Sequence, residues 1–341
     1  MKDVLTSRER FGLLVIDERP DRVNVMPLIT SHAATVAGIK LKEYYTNGEA
    51  MARAQLVALE KYGHDAIAVF SEVGIIAEAM GSAFTYPEND LPVLKKGALE
   101  IKKLAGIKVP DPEKDVRLPV YLQAIEYAYA AVADRVPILA FVPAPFTTAM
   151  SLGAPDQFLI DTIRNRSQVN ALLDLSLQAC KEFCYAIINA GGLPVLVDPL
   201  ASSSVISPRT YREFALPYEA DLIRFLHRYD LDIVLHICGD TTPILELLPE
   251  THADLVSVDQ VDMDNVLDKV SRDMRIIGNF NTSLLAQATP DIIARETSMM
   301  VRSAMHSPRG YVASTGCEVP IHTPSPNVRA FVMAAKEAGW Y

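Results

Sequence analysis

Three residues of this chain have the chemistry of metal ligands: His236, Cys238 and, far downstream, Cys317. The first two lie in the string LDIVLHICGD and the third in YVASTGCEVP, so each stands at the end of an apolar run beside a glycine or an acid. One imidazole and two thiolates suit zinc, and three protein ligands rather than four leave a coordination position open. The residue types therefore predict a zinc site at which chemistry takes place.

The spacing of these residues supports a shared site. His236 and Cys238 are two positions apart, so on a strand both side chains point to the same face. The alternative is a buried histidine with two inert core cysteines, which a single cysteine would favour. An H-x-C pattern at one strand end and G-C-E at another favour the metal. Cys180 and Cys184, four residues apart on a predicted helix, are better explained by core packing.

Five further residues at predicted strand ends are candidates for catalysis or substrate binding. Glu72 follows an apolar strand, and apolar surroundings raise the pKa of a carboxylate, so it is predicted to be catalytic, as is Asp198. The alternative for each is structural, and for Glu72 it is an ion pair with Lys or Arg. Phe146, Gln260 and Asn281 are predicted to bind substrate, although the asparagine could instead hydrogen-bond backbone at its strand end.

The elements that must position these residues alternate regularly. Short apolar or β-branched runs are separated by helical patterns, most clearly over 41–62 and 160–190. Such apolar runs are typical of parallel strands buried on both faces. The predicted strands cover 22–29, 66–73, 137–146, 193–200, 232–238, 255–260, 275–281 and 310–315. Eight strands alternating with helices predict an α/β fold, a (β/α)8 TIM barrel, with a doubly wound sheet as the alternative. Barrel enzymes carry their chemistry at the C-terminal strand ends, so the candidates should meet at one mouth.

The chain is expected to form a single barrel domain over residues 1–341, because no linker or low-complexity segment interrupts it. A pre-barrel segment, 1–21, opens with the string TSRE, which predicts a helix-initiating capping box between Thr6 and Glu9. Residues 74–136 are too long for one crossover and predict a helical insertion over the barrel mouth.

Composition limits the partners of this protein. Half of the 341 residues are hydrophobic and the formal charge is −10, so the chain is globular and a nucleic-acid partner is not expected. We find no uninterrupted apolar run of 18 residues and no signal-peptide core in MKDVLTSRERFG, so no membrane span or secretion is predicted. Four cysteines do not make a disulfide framework, and the reducing cytoplasm is the expected location.

A zinc site with two thiolates is less suited to making hydroxide than a site of three imidazoles. It is better suited to holding an incoming thiol as a thiolate, because coordination deprotonates the thiol near neutral pH. The sulfur then remains nucleophilic enough to attack a methyl group. In the mirror reaction the zinc polarises an oxygen or nitrogen leaving group while its methyl group is taken by another nucleophile.

Motifs along nearly the whole chain resemble the uroporphyrinogen decarboxylase superfamily and, within it, the zinc-dependent corrinoid methyltransferases that act on coenzyme M. In chain order these motifs are LTSRERF, PDRVNVMP, VFSEVGIIAEAMG, AFVPAPFTTAM, VLVDPLASSSVISPRTYREFALPY, LHICGDTTPIL, SVDQ and IIGNFN. Two departures separate the chain from true decarboxylases. The N-terminal place of their arginine-rich run reads MPLITSHAATVAGI, and Glu72 stands where they have aspartate.

The resemblance implies that His236, Cys238 and Cys317 match the zinc motif of the methyltransferases. It further implies methyl transfer between a small-molecule thiol such as coenzyme M and cobalamin carried by a partner corrinoid protein. The fourth zinc position would take the substrate heteroatom or, at rest, water or a carboxylate such as Glu72 or Glu318. Three alternatives stay open: demethylation of a methoxy or methylamine donor onto cob(I)alamin, a uroporphyrinogen-type decarboxylase, and a zinc-stabilised docking module for a corrinoid protein. A homodimer also stays open.

Overall fold

Eight parallel strands curl into a barrel that positions the candidate residues. The architecture is that of a computed structural model, which describes residues 3–341. Within that range the strands are β1 (Asn24–Val25), β2 (Ile67–Val69), β3 (Ala83–Thr85), β4 (Val93–Lys96), β5 (Ile138–Pro143), β6 (Leu193–Val197), β7 (Val234–His236), β8 (Leu255–Ser257), β9 (Arg275–Phe280) and β10 (Tyr311–Thr315). The parallel sheet has the order β1-β10-β9-β8-β7-β6-β5-β2. All eight predicted barrel strands are therefore confirmed, in the order of a (β/α)8 barrel.

Helices follow the strands and cover the outside of the sheet. They are α1 (Ser7–Val15), α2 (His32–Ala37), α3 (Leu41–Thr46), α4 (Gly48–Tyr62), α5 (Ile75–Ala79), α6 (Ala98–Ile101), α7 (Leu118–Val132), α8 (Pro145–Met150), α9 (Pro155–Arg164), α10 (Arg166–Asn189), α11 (Pro208–Thr210), α12 (Leu216–Leu226), α13 (Met263–Lys269), α14 (Thr282–Gln287), α15 (Pro290–Ala304) and α16 (Ser325–Ala338). A π-helical turn, Tyr211–Ala215, precedes α12, and a 3-10 helix, Thr242–Thr251, follows β7.

Two helical stretches that look continuous in the sequence are each divided by an asparagine. Asn47 has extended backbone and separates α3 from α4, where its side-chain oxygen accepts a hydrogen bond from the Ala50 N–H at 3.0 Å. Asn165 likewise interrupts the helical backbone between α9 and α10. Because asparagine competes with the helix for backbone hydrogen bonds, it favours such caps over a helix interior.

The segment 74–136 is only partly the helical insertion that the sequence predicts. Helix α7 is the ordinary crossover helix, since it packs on α4, β2 and β5. The preceding part holds α5, α6 and an antiparallel hairpin of β3 and β4. The hairpin was missed because its two strands are short and largely exposed, so they lack the apolar run that marks the barrel strands.

The barrel closes between β1 and β2 through one aspartate rather than through a ladder. The Asp65 N–H donates to the Val25 carbonyl at 2.8 Å, and Asp65 Oδ2 accepts from the Val25 N–H at 2.7 Å. The same carboxylate pairs with buried Arg10 at 3.0 Å and buried Arg22 at 2.7 Å. Removing one partner of such a buried pair typically costs about 3–5 kcal/mol.

The pre-barrel segment thus contributes to barrel closure. The predicted capping box is confirmed: Thr6 Oγ1 accepts from the Glu9 N–H at 3.2 Å, and Glu9 Oε2 accepts from the Thr6 N–H at 2.7 Å. This cap starts α1, which carries Arg10 to Asp65. Residues 1–2 of the predicted segment 1–21 lie outside the described residues.

Candidate active site

The three predicted metal ligands meet at the C-terminal end of the barrel. The Nε2 atom of His236 lies 2.9 Å from Cys238 Sγ, which in turn lies 3.2 Å from Cys317 Sγ. Their ligand atoms all lie within 4.8 Å of one another. His236 ends β7, and Cys317 follows β10 by two residues. The barrel thus brings together two segments that are 79 residues apart in the chain.

A serine orients the histidine toward the two sulfurs. Ser257, at the end of β8, stands directly opposite His236 in the parallel ladder, and its Oγ lies 2.9 Å from His236 Nδ1. When Nδ1 carries the ring proton, Nε2 presents its lone pair to the cysteines. Such a hydrogen bond to the second ring nitrogen is the usual arrangement for a metal-binding histidine. The nitrogen and two sulfurs therefore fit the borderline-soft donor set that zinc prefers.

A glycine allows the backbone to turn directly after Cys238. Gly239, directly after Cys238, has φ +73°, a conformation that residues with a Cβ rarely adopt. A Cβ there would also come within 2.8 Å of Ser204 Oγ. The backbone N–H of Gly239 donates a hydrogen bond to Asp259 Oδ2 at 2.9 Å.

The two cysteines are electrostatically distinct. A hydrogen bond from Cys238 lowers the pKa of the Cys317 thiol to about 4, although burial opposes that change. The same hydrogen bond and burial raise the pKa of Cys238. The lowered pKa of Cys317 favours its thiolate, which is the form of cysteine that binds metals.

A half-buried carboxylate lies directly beside this pair. Burial raises the pKa of Glu318 to about 7, even though Thr30 Oγ1 donates a hydrogen bond to its Oε2. Thr30 follows the first strand, so this contact joins the beginning of the barrel to the loop that carries Cys317.

The sequence profile of the uroporphyrinogen decarboxylase (URO-D) family matches residues 6–338. The chain belongs to this family. It is 26% identical over 347 residues to a methylated-thiol–coenzyme M methyltransferase from Methanosarcina mazei, covering 99% of this chain and 91% of the relative. It is 27% identical over 305 residues to a methylcobamide:CoM methyltransferase from Methanosarcina barkeri, covering 88% of each.

A solved structure has the same fold. A methyltransferase from Methanosarcina mazei superimposes with a TM-score of 0.88 at 26% identity, covering 98% of this chain and 99% of that one. The barrel fold predicted from the sequence is therefore shown both by the strand order and by this likeness. Within residues 3–341 we find no helix with the length and apolar character needed to cross a membrane.

Glu72 lies at the same mouth and forms an ion pair with Arg117. Such a pair is the structural alternative to the catalytic role predicted from the sequence. Arg117 Nη2 lies 2.6 Å from Glu72 Oε1 and 2.8 Å from Glu78 Oε2, and Ser71 Oγ donates to Glu72 Oε2. Burial raises the pKa of Glu72, while Arg117 opposes that rise. Both oxygens of Glu72 are thus engaged by the protein.

Asp198 is fully buried at the end of β6 and shares its environment with a second acid. Its Oδ1 accepts hydrogen bonds from the Thr147 N–H at 2.8 Å and the Thr147 hydroxyl at 2.5 Å. Burial raises the pKa of Asp198 to about 6 and also raises the pKa of the neighbouring Glu219 carboxyl. Tyr211 donates to the other side of Glu219 at 2.6 Å. This position is that of a core acid pair rather than a group open to substrate.

The three predicted substrate-binding residues are not brought together. Phe146 is fully buried in α8 and packs edge-to-face on Phe158, with ring centroids 5.5 Å apart. Asn281 is exposed and caps α14 by accepting from the Leu284 N–H at 2.9 Å, which was its alternative role. Gln260 is exposed beside the metal ligands, and its backbone N–H donates to the Gly239 carbonyl at 3.0 Å. Only Gln260 has a position from which its side chain can meet a ligand.

Sequence reasoning missed several polar residues that contact the candidate residues or their neighbours. They are Thr30, Glu78, Arg117, Glu219, Ser257 and Asp259. A signal existed for two of them, since Ser257 and Asp259 lie in the SVDQ motif at a predicted strand end. Arg117 had none, because it lies in the insertion. The helical cysteines behave as predicted: Cys180 and Cys184 are fully buried in the core.

Proposed function

We propose that this protein is a zinc-dependent methyltransferase that moves a methyl group between a partner corrinoid protein and a small-molecule thiol such as coenzyme M. The observation that carries the proposal is the convergence of one imidazole nitrogen and two cysteine sulfurs at the barrel mouth. The names of the relatives support it, since they are methyltransferases of coenzyme M and of methylcobamide. True decarboxylation, the activity for which the family is named, has no use for a thiolate-rich metal site.

His236, Cys238 and Cys317 would hold the ion, with Ser257 orienting the imidazole. Zinc bound there would keep an incoming thiol deprotonated and nucleophilic near neutral pH. A corrinoid bound to the partner would supply the methyl group, and the thiolate sulfur held at this site would accept it. Methyl transfer in the opposite direction, from a methoxy or methylamine compound, would use the same site.

Glu318 is the better candidate than Glu72 for a resting ligand in the fourth position. Both oxygens of Glu72 are held, one by Arg117 and the other by Ser71. Of the two carboxylate oxygens of Glu318, only Oε2 has a hydrogen-bond partner within the described residues, and that partner is Thr30. Glu318 also directly follows Cys317, so a small movement of one loop would exchange it for substrate.

The corrinoid protein would dock at the C-terminal face of the barrel, where His236, Cys238 and Cys317 lie. A corrinoid carried by a partner docked there would bring its methyl group to the metal ligands at the barrel mouth. We expect the enzyme to work in the reducing cytoplasm, because free Cys238 and Cys317 must stay reduced to bind metal.

Metal analysis combined with a visible-spectrum assay of methylcobalamin demethylation tests the function. We expect about one zinc per chain and thiol-dependent loss of the methylcobalamin spectrum. A panel of thiols, methoxy compounds and methylamines, the last two with cob(I)alamin, decides the direction. Full methyl transfer by metal-free protein would overturn the proposal. Decarboxylation of uroporphyrinogen by zinc-free protein would replace it with the decarboxylase alternative.

A further inference from the structure

The carboxylate of Asp259 lies between the two loops that carry the cysteines. Asp259 follows β8, the strand next to β7. Its Oδ2 accepts a hydrogen bond from the N–H of Gly239 at 2.9 Å, and Gly239 directly follows Cys238. This bond fixes the backbone on the C-terminal side of the first cysteine.

The other oxygen of Asp259 faces the loop of Cys317. A Cβ built on Gly316, the residue before Cys317, would stand 2.5 Å from Asp259 Oδ1 and 3.1 Å from the α-carbon of Asp259. Gly316 has an ordinary backbone conformation, so its lack of a side chain is required by this close approach and not by its φ angle. Asp259 therefore touches both loops at the residue next to each sulfur ligand.

Asp259 is itself held firmly in place. Its carbonyl accepts a hydrogen bond from Asn279 Nδ2 at 3.0 Å, and the N–H of the next residue, Gln260, donates to the Gly239 carbonyl at 3.0 Å. Residues 259 and 260 thus exchange two hydrogen bonds with Gly239, one through a side chain and one through the backbone.

We propose that Asp259 is a positioning residue that sets the separation of the Cys238 and Cys317 sulfurs for the metal. The inference rests on the metal site proposed above. One carboxylate oxygen hydrogen-bonds one cysteine loop, and the other sets how closely the second loop can approach. Residues that orient metal ligands in this way usually change metal affinity about 10–100-fold when they are removed.

Metal affinity measured by chelator competition is the first test, on Asp259→Ala and Asp259→Asn. We expect Asp259→Ala to weaken zinc binding about 10–100-fold. Asparagine keeps an oxygen for the Gly239 N–H, so Asp259→Asn should recover part of the loss. Asp264→Asn is the matched control, because it removes the same charge from an exposed position five residues away. With Co²⁺ in place of zinc, the visible spectrum of Asp259→Ala should change, while that of Asp264→Asn should match the wild type.

The close approach of Gly316 gives a second, independent test through a double-mutant cycle. Gly316→Ala should weaken metal binding strongly in the wild-type background, because its methyl group collides with Asp259 Oδ1. In the Asp259→Ala background the same change should cost much less, since the nearest remaining atom of residue 259 is its α-carbon, 3.1 Å away. Additive effects of the two substitutions would overturn the inference.

The outcomes separate this inference from the proposed function. If wild-type protein binds no zinc, the metal site itself is wrong. If the wild type binds zinc while Asp259→Ala keeps the same affinity and the same Co²⁺ spectrum, the site stands and the role of Asp259 is overturned.

Discussion

Arg117 and Glu72 form an ion pair that ties the insertion to the barrel mouth, with 2.6 Å between Nη2 and Oε1. Arg117 also pairs with Glu78 and stacks on the ring of Tyr86, with its guanidinium carbon 4.3 Å from the ring centroid. The arginine side chain is only 8% exposed, so these interactions are largely shielded from water. One residue of the insertion thereby determines the surroundings of a strand-end carboxylate.

Replacing Arg117 should destabilise the protein substantially. Arg117→Ala leaves Glu72 and Glu78 buried without their cation, and we expect a loss of roughly 3–5 kcal/mol in the free energy of unfolding. Thermal and urea unfolding measure this directly. Arg53→Ala, which removes an exposed arginine, is the control and should cost less than about 1 kcal/mol. Equal stability of the two variants would contradict the structural role of Arg117.

A comparison of two glutamates tests whether Glu72 has a catalytic role as well. Glu72→Gln and Glu78→Gln each remove one partner of the same arginine. If Glu72 serves only this ion pair, both variants should lose similar stability and retain similar turnover at 25 °C. A selective fall in kcat for Glu72→Gln would restore the catalytic assignment made from the sequence.

Replacing a cysteine ligand should remove the metal, whereas replacing a core cysteine should not. We expect Cys317→Ser and Cys238→Ser to lose both bound zinc and thiol-dependent demethylation of methylcobalamin. Cys184→Ala, at a fully buried core position, should keep about one zinc per chain. Elemental analysis of the purified variants decides the matter, and zinc retained in Cys317→Ser would exclude it as a ligand.

The buried acid pair predicts a pH dependence of stability. Asp198 Oδ2 and Glu219 Oε1 are buried without a hydrogen-bond partner in the described part of the chain, and a hydrogen bond between them requires that one carboxyl be protonated. Burial raises the pKa of Asp198 to about 6 and that of Glu219 as well. A carboxyl with a raised folded-state pKa favours folding at low pH, and this contribution is lost as pH rises toward the raised value.

Glu219→Gln should therefore flatten the pH profile. The amide can donate to Asp198 without a shared proton, so the unfolding free energy should fall less than in wild type between about pH 4 and pH 7. Exposed Glu337→Gln should follow the wild-type profile. Parallel curves for Glu219→Gln and wild type, measured by urea unfolding at each pH, would rule out the shared proton.

Phe146 tests a sequence prediction that its burial does not support. Because its ring lies in the core against Phe158, Phe146→Leu should lower stability by roughly 0.5–3 kcal/mol and leave the KM for thiol unchanged. Gln260→Ala, at an exposed position beside the metal ligands, should raise the KM for thiol and leave the stability unchanged. Steady-state kinetics with both variants distinguishes the two, and a large rise in KM for Phe146→Leu would return it to the substrate site.

The barrel and its ligands could be predicted because their signals are local. Apolar runs mark each strand, and the two-residue spacing places His236 and Cys238 on one face. The burial of Phe146 also has a local cause: Pro145 starts α8 directly after the strand, and every residue of that helix is buried. The sequence shows where a strand ends but not where the next side chain points.

Residues that act through tertiary interactions could not be predicted in this way. Arg117 meets Glu72 across 45 residues, and Asp259 meets Gly239 across 20. Glu219 lies on an amphipathic helix, where an acid is expected at the surface, yet it is fully buried. In each case the partner, and not the residue's own neighbours in sequence, decides the role.

The strand order has a consequence for synthesis of the protein on the ribosome. The first strand pairs with the last, as when the Ser314 hydroxyl bonds the Met26 carbonyl across 288 residues. At about 5–20 residues per second, that stretch takes roughly 15–60 s to make. Throughout this interval β1 has an unpaired edge and the apolar barrel interior cannot close. The nascent chain should therefore depend on chaperones until its final strand emerges.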